Sequence, residues 1–299
     1  MIDQTVKIFK ELDSRDIRIL MGIEAGMQRH EWVPVEELMK FTGFTYEKLQ
    51  FKLGKLMKND LVLIRSAPYE GYQIYFPGYD VLAINTFVKR NTVSAIGDEI
   101  GVGKESIVHE AISEPDIGIG DPLSVVIKFH RQGMTSFKQV KRTREHLVDK
   151  EHFSWIYAAR LAAQREYDVM QKIYPDVSVP RPIDHNRHAI VMELIEGNSL
   201  NKTKLLDPQY FLDEILEQIK TLYSFGIIHA DLSEYNIFVN PKGVKIIDWP
   251  QYVTQDHPHA DELLERDVNN VLNHFSRKYK IRRSSKSAIE DICGCRDDS

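Results

Sequence analysis

I-H-A-D-L-S-E-Y-N-I-F-V-N-P-K-G-V-K-I-I-D, residues 228–248, is the stretch from which the fold of this 299-residue chain can be read. It begins with a loop carrying Asp231 and Asn236, five residues apart. The apolar run Ile237-Phe238-Val239, a turn at Asn240-Pro241-Lys242-Gly243 and a second run Val244–Ile247 follow, ending at Asp248. That is the pattern of a loop followed by a β-hairpin. The hairpin folds back, which returns Asp248 toward Asn236. One amide and one ionised oxygen ligand suit Mg²⁺, which shares its coordination with phosphates. Asp231 is then free to accept a hydrogen bond from an attacking hydroxyl or water. A lone H-x-D or D-x-x-x-x-N is common, so the upstream sequence has to decide the case.

Length and composition set the bounds. The chain is long enough for two domains or one large one and can bury a sizeable core. Its net charge of −5 makes any basic surface local. The two cysteines, Cys293 and Cys295, sit in a polar tail and read as free thiols of a reducing compartment. M-I-D-Q-T-V-K lacks the apolar stretch of a signal peptide, and no run suits a membrane span. The expectation is a soluble, cytoplasmic protein that does not engage a membrane.

Residues 1–90 read as three helices and a hairpin. Asp13 or Ser14 caps a helix with Ile17, Leu20, Met21 and Met27 on its apolar face. Trp32-Val33-Pro34 breaks it. Val35–Phe41 forms a second helix ended near Gly43, and Thr45 caps a third, Tyr46–Lys58. Leu61–Arg65 and Tyr72–Phe76 read as strands around Pro68-Tyr69-Glu70-Gly71. This is a winged helix-turn-helix pattern. In the third helix Leu49, Leu53, Leu56 and Met57 form one stripe and Lys48, Lys52, Lys55 and Lys58 the other. The lysines are either an ordinary solvated face or a nucleic-acid-facing one. Pro77–Arg90 reads as a connecting helix.

The second domain opens with G-x-G-x-x-S-x-V, containing Gly101, Gly103, Lys104, Ser106 and Val108. Glycines let backbone N–H groups approach phosphates. No Walker pattern is present. Ser124–Phe129 is a strand with Lys128 near its end. Arg131–Lys150 carries six basic side chains against two acids and reads as a flap with Ser136 as a candidate self-phosphorylation site, or as a solvated loop. His152–Ile173 reads as a helix containing Glu166, placed to pair with Lys128. Ala189–Gly197 is a strand leading into a connector that includes Met192, Glu193 and Ile195. Asp207-Pro208 opens a helix with Phe211, Ile215, Ile219 and Leu222 inward. Asp261-Glu262 opens a final helix with Leu264, Val268, Val271 and Phe275 on one stripe. Arg283–Ser299 reads as a disordered polar tail.

These motifs together resemble the RIO-type atypical protein kinases, in the second subfamily, which bears an N-terminal winged helix. The resemblance rests on H-E-W-V-P near residue 30, R-Q-G-M-T-S-F-K-Q-V-K, A-R-L-A-A-Q-R-E-Y, H-A-D-L-S-E-Y-N, I-I-D-W-P-Q and H-P-H-A-D-E-L-L-E-R-D-V-N-N. It covers roughly residues 15–280. It implies an α+β chain: a winged-helix domain over 1–90, a minimal bilobal kinase domain over 91–282 with lobes 91–192 and 193–282, and a tail. It implies ATP with Mg²⁺, or Mn²⁺ in its place. Gly101, Gly103, Lys104, Ser106, Val108 and Lys128 would surround the nucleotide, with Glu166 holding Lys128. Met192, Glu193 and Ile195 would meet the adenine, Asn236 and Asp248 the metal, and Asp231 would be catalytic. The resemblance further implies a partner in the pre-ribosomal small subunit and its RNA.

The departures from ordinary kinases matter. Ser233 stands where those enzymes carry a lysine, Trp249-Pro250 replaces Phe-Gly, and no A-P-E follows. The 51 residues after Asp248 are too few for the helices that dock peptide substrates. The phosphate acceptor can thus be protein, self or water. Two other readings compete. A small-molecule phosphotransferase shares the loop but needs neither winged helix nor basic segment. A nucleic-acid-binding regulator with an inert kinase fold would not need Lys128, Glu166, Asp231, Asn236 and Asp248 together.

Overall fold

The computed structural model describes residues 2–103, 105–114, 121–131 and 155–294. The chain divides into two compact units, Met1–Gln164 with Ile183–Val191, and Arg165–Pro182 with Met192–Ser299.

The first unit opens with α1 (Ile2–Glu11) and α2 (Ser14–Gly26). Helix α1 is an addition to the three helices expected over residues 1–90. It buries Ile8, and Val6 and Phe9 pack beneath the larger sheet of this unit. Asp13 caps α2 reciprocally: it accepts the amides of Arg15 and Asp16, while Asp16 accepts the amide of Asp13. Ile17, Leu20 and Ile23 are buried, but Met21, expected inward, is exposed. One step past Leu20 turns a side chain about 100° around a helix. A short strand β1 (Val33–Pro34) then leads into α3 (Val35–Thr42), α4 (Tyr46–Lys58), β2 (Val62–Arg65) and β3 (Gly71–Ile74). Gly43, at φ 72°, ends α3, and Thr45 accepts the Lys48 amide to start α4. Trp32-Val33-Pro34 is more than a breaker, because Val33 pairs with Tyr72 and completes an antiparallel sheet in the order β1-β3-β2. This is the element order of a winged helix-turn-helix module.

Helix α4 buries Leu49, Leu53 and Leu56, and Met57 is half-buried. The opposite lysines are not equivalent. Lys52 pairs with Asp13 at 2.6 Å and with the fully buried Asp16 at 2.9 Å. Lys55 pairs with Asp16 at 3.1 Å and donates to the Glu11 carbonyl at 2.7 Å. Two of the four lysines read as a solvated or nucleic-acid face therefore hold α4 onto α2. Lys48 and Lys58 stay exposed, with Lys48 over the Phe44 ring at 4.3 Å.

Helix α5 (Phe76–Lys89) is no mere connector. Tyr79, Val81 and Leu82 belong to the core of the N-terminal module, and Ala83, Ile84 and Phe87 to the core beneath a five-stranded sheet. That sheet comprises β4 (Ala95–Val102), β5 (Ser106–Ser113), β6 (Leu123–His130), β7 (Pro182–Asn186) and β8 (Ala189–Glu193), ordered β4-β5-β6-β8-β7. Polar contacts reinforce the junction. In the β7–β8 turn Arg187 makes two 2.7 Å bonds to the Glu24 carboxylate of α2. Asp80 of α5 pairs with His188 at 2.7 Å and with Arg131 at 2.8 Å, all three buried. Desolvation pushes His188 down to about 4, so it is uncharged at neutral pH and Arg131 supplies the countercharge. Arg131, expected at the head of a basic flap, is instead part of this interior. The rest of that segment, with Ser136, lies outside the described residues, as does Lys104.

Helix α6 (Trp155–Ile173) runs through the boundary between the units. The second unit then contains β9 (Asn198–Ser199), α7 (Pro208–Ser224), β10 (Ile227–Ile228), β11 (Ile237–Asn240), β12 (Gly243–Ile246), β13 (Val253–Thr254), α8 (Ala260–Tyr279) and α9 (Ser285–Cys293). Asp207 caps α7 through the Tyr210 amide. Leu212, Ile215, Leu216, Ile219 and Leu222 are buried, while Phe211, expected among them, is half-buried. Leu264, Val268, Val271 and Phe275 of α8 are buried as their spacing predicts. The expected disordered tail is corrected by α9. Ser284 caps it, Ala288 and Ile292 are buried, and Arg283 pairs with Asp213 and Asp291. Residues 295–299 lie outside the described residues.

Candidate active site

In the first unit strand register assembles one half of the predicted set. Gly101 pairs with Val108 across β4–β5, and Val108 pairs with Lys128 across β5–β6. Directly paired residues point to the same sheet face, so Gly101, Val108 and Lys128 form a row. Ser106 starts β5, and its carbonyl accepts the Gly103 amide at 2.8 Å, closing the turn. Among the described residues, a Cβ added at Gly101 or Gly103 would meet nothing closer than 3.5 Å. These glycines are thus not demanded by internal packing. What they offer is open backbone, which suits a bound polyphosphate. Lys128 is buried at 6% exposure, an uncommon place for an ammonium group.

In the second unit the loop and hairpin form as the sequence predicts. Ile237 pairs with Ile246, and the Ile247 amide donates to the Asn236 carbonyl at 2.9 Å. Asn236 and Asp248 therefore flank the two open ends of the hairpin. The Asn236 side-chain amide donates to the Asp231 carbonyl at 2.9 Å, tying the two ends of the loop together. Asp231 itself is exposed. Glu166 is buried and accepts the Trp249 amide at 3.3 Å, which sets it beside the residue after Asp248. Glu193 engages Arg181 through both its amide and its carboxylate, and its carboxylate also meets Lys245 at 3.1 Å. Met192 ends the buried run of β8, and Ile195 lies in the connector beyond it.

The residues that shape the loop are not among those expected from the sequence. Asp267 of α8 accepts the amides of Ala230 at 2.7 Å and Leu232 at 3.0 Å. Arg266 donates to the Ala230 carbonyl, and Asn270 to that of Leu232 at 3.0 Å. The His229 ring meets the Ile247 carbonyl at 3.0 Å and packs against Trp249. Ala230 and Asp248 both adopt left-handed conformations, at φ 63° and 73°, which non-glycine residues keep only when their surroundings impose them. The available signal was Asp267 lying next to Val268 on the inward stripe of an apolar helix face. A charge there requires a buried partner.

Among the described residues no group of three or more His, Cys, Asp or Glu converges into a metal cage. The donor set of Asn236 and Asp248, one amide and one carboxylate, fits a hard cation that completes its shell with phosphates and water.

A glycine turn on a strand in register with a lysine-bearing one, an H-x-D-x-x-x-x-N loop and a hairpin ending in an acid are the equipment of a protein-kinase-like enzyme. Comparison with known proteins narrows the class. The RIO domain family matches residues 107–288, and the family described as Rio2, N-terminal matches residues 9–90. The chain is 40% identical to the RIO-type serine/threonine-protein kinase Rio2 of Methanocaldococcus jannaschii, over 89% of this chain and 97% of that one. It is 35% identical to the serine/threonine-protein kinase rio2 of Dictyostelium discoideum, over 92% of this chain but 52% of that longer protein. A crystal structure of the Rio2 kinase–ADP/Mg²⁺–phosphoaspartate complex from Chaetomium thermophilum is similar with a TM-score of 0.80 and 31% identity, covering 94% of this chain and 87% of that one. The chain belongs to the RIO family of atypical serine/threonine kinases, in its Rio2 branch.

Proposed function

We propose that this chain is an ATP- and Mg²⁺-dependent kinase or ATPase acting in maturation of the small ribosomal subunit. The observation that carries the catalytic part is the pairing of Asn236 with Ile247, which puts the amide donor and Asp248 at adjacent hairpin ends directly after Asp231. Asn236 and Asp248 would hold the metal, and bound Mg²⁺, or Mn²⁺ in its place, supplies charge neutralisation to the phosphates. Gly101, Gly103, Lys104 and Ser106 would cradle the phosphates, Lys128 would neutralise them, and Glu166 would hold Lys128. Val108 and Met192 would pack on the adenine. The Glu193 amide is engaged by Arg181, so polar contact with the base falls to its carbonyl and to Ile195. Asp231 orients the attacking group, which is worth roughly 10²–10⁴ in rate.

The ribosomal part rests on the family resemblance, as does the assignment of residues 1–90 and 91–282 to separate domains working in the cytoplasm. The exposed Lys48 and Lys58 would meet precursor RNA, and the sequence of the basic segment, which lies outside the described residues beyond Arg131, supplies further positive charge for it. No helix among the described residues is long and apolar enough to cross a membrane.

A phosphoaspartate in the Chaetomium relative favours an aspartate of this chain as acceptor, followed by hydrolysis. Asp231 and Asp248 are the candidates. Turnover of labelled ATP with and without Mg²⁺ tests the reading, using wild type, Asp248→Ala and Asp231→Asn. The expected result is metal-dependent turnover by wild type and none by Asp248→Ala. Asp248→Ala turning over ATP like wild type overturns the metal assignment. Trapped label that hydroxylamine releases identifies an acyl phosphate, and hydroxylamine-stable label points to a hydroxyl acceptor.

A further inference from the structure

Arg131 touches elements with different duties. Its backbone amide donates to the Glu105 carbonyl at 2.6 Å, inside the glycine-rich turn between Gly103 and Ser106. Its guanidinium pairs with Asp80 at 2.8 Å and lies over the rings of Phe76 and Phe129, 5.2 and 5.6 Å from their centroids. Phe76 and Asp80 are one turn apart on α5, so they share a helix face. Arg131 is thereby clamped to the helix that also carries the core of the N-terminal module.

A buried arginine held by a carboxylate and two rings has little freedom. Any displacement of α5 must move Arg131, and its amide carries Glu105 and the glycine turn along. We propose that Arg131 is a positioning residue for the phosphate-binding turn, through which the N-terminal module sets nucleotide affinity. The inference rests on the reading of that turn as the nucleotide's phosphate site. Coupling is reciprocal: whatever binds the module and shifts α5 changes nucleotide affinity, and nucleotide changes the module's affinity by the same factor. His188, the other partner of Asp80, belongs to the β7–β8 turn, and its carbonyl accepts the His130 amide at 2.8 Å beside Arg131.

The test uses the whole chain and a fluorescent ADP analogue with Mg²⁺. Removing one member of a buried ion pair strands the other charge, so the informative variant is Arg131→Met combined with Asp80→Asn, which leaves no lone charge. Arg131→Lys is the conservative control, and Lys128→Met tests the nucleotide site itself. The double variant should remain folded by circular dichroism and weaken ADP binding about tenfold. Its amide exchange should quicken across residues 101–110 while that of β2 and β3 stays unchanged. Arg131→Lys should recover part of the affinity. A folded double variant that binds the analogue like wild type, or exchange that quickens equally in both regions, overturns the proposal and leaves Arg131 a packing role. Absence of analogue binding in wild type, or full binding by Lys128→Met, overturns instead the reading of the turn on which it rests.

Discussion

The buried carboxylate of Asp267 accepts the amide of Ala230 at 2.7 Å, and its other oxygen accepts that of Leu232 at 3.0 Å. One side chain of α8 thus grips the backbone on both sides of Asp231. Burial raises Asp267 to about 6, outweighing the two amides that pull it down. The folded value lies above the unfolded one, so the folded state binds this proton more tightly. The carboxyl's contribution to stability is complete below about pH 4 and is lost as pH rises through about 6. The loss is on the order of 3 kcal/mol. Catalysis should run the other way, because the ionised carboxylate accepts both amides strongly, whereas protonation turns one of its oxygens into a donor and a weaker acceptor. Turnover should rise with an inflection near pH 6. Asp267→Asn should remove that inflection and slow turnover by up to about 10²-fold, as a misplaced catalytic group does. A pH–rate profile of both proteins checks this.

Asp248 sits at φ 73°, and this separates two substitutions. Asparagine tolerates the left-handed region better than alanine does. Asp248→Asn should keep wild-type stability within about 0.5 kcal/mol, and Asp248→Ala should lose about 1 kcal/mol. Both should abolish metal-dependent turnover. Denaturant unfolding beside the turnover assay distinguishes backbone strain from loss of the ligand.

The lysines of α4 divide into two pairs with different consequences. Lys48→Gln with Lys58→Gln should reduce the salt slope of binding to precursor small-subunit RNA by roughly 1.4–1.8, at about 0.7–0.9 per phosphate contact, and leave stability unchanged. Lys52→Gln with Lys55→Gln should instead destabilise the fold by roughly 3 kcal/mol, since it strands the buried Asp16. Salt-dependent binding and thermal unfolding of the two double variants separate the roles.

Asp13 gives the same contact a pH signature. Its hydrogen bond from Lys52, aided by the Asp16 amide, holds it down to about 2. The associated stability is present above about pH 4 and is lost as pH falls through about 2. In Lys52→Met the acid limb of the stability curve should begin at higher pH. Urea unfolding at pH 2–5 measures it.

Helix α9 should contribute to the stability of the second unit. Ile292 is buried, and Ile292→Ala should cost about 2–4 kcal/mol. Glu290, exposed on the same helix, should tolerate Ala within about 0.5 kcal/mol. Thermal unfolding of the two variants distinguishes a docked helix from a solvated tail.

The sequence by itself determined what local spacing can encode. The helix starts at Asp13, Thr45 and Asp207 follow from capping chemistry, and the hairpin around Asn240–Gly243 from its turn residues. The hairpin in turn brings Asn236 and Asp248 to adjacent ends, because strand pairing over so few residues leaves no other register for the apolar runs. Tertiary structure decided everything that depends on a partner distant in the chain. Lys52 and Arg131 look like surface charges until Asp16 and Asp80 are brought to them. Asp267 looks like one more acid on a charged helix until the Ala230 and Leu232 amides meet it. The tail looks polar until Ala288 and Ile292 find α7 and α8. In each case the side chain's environment is set by residues far away in sequence, and periodicity along one element carries no information about what faces it.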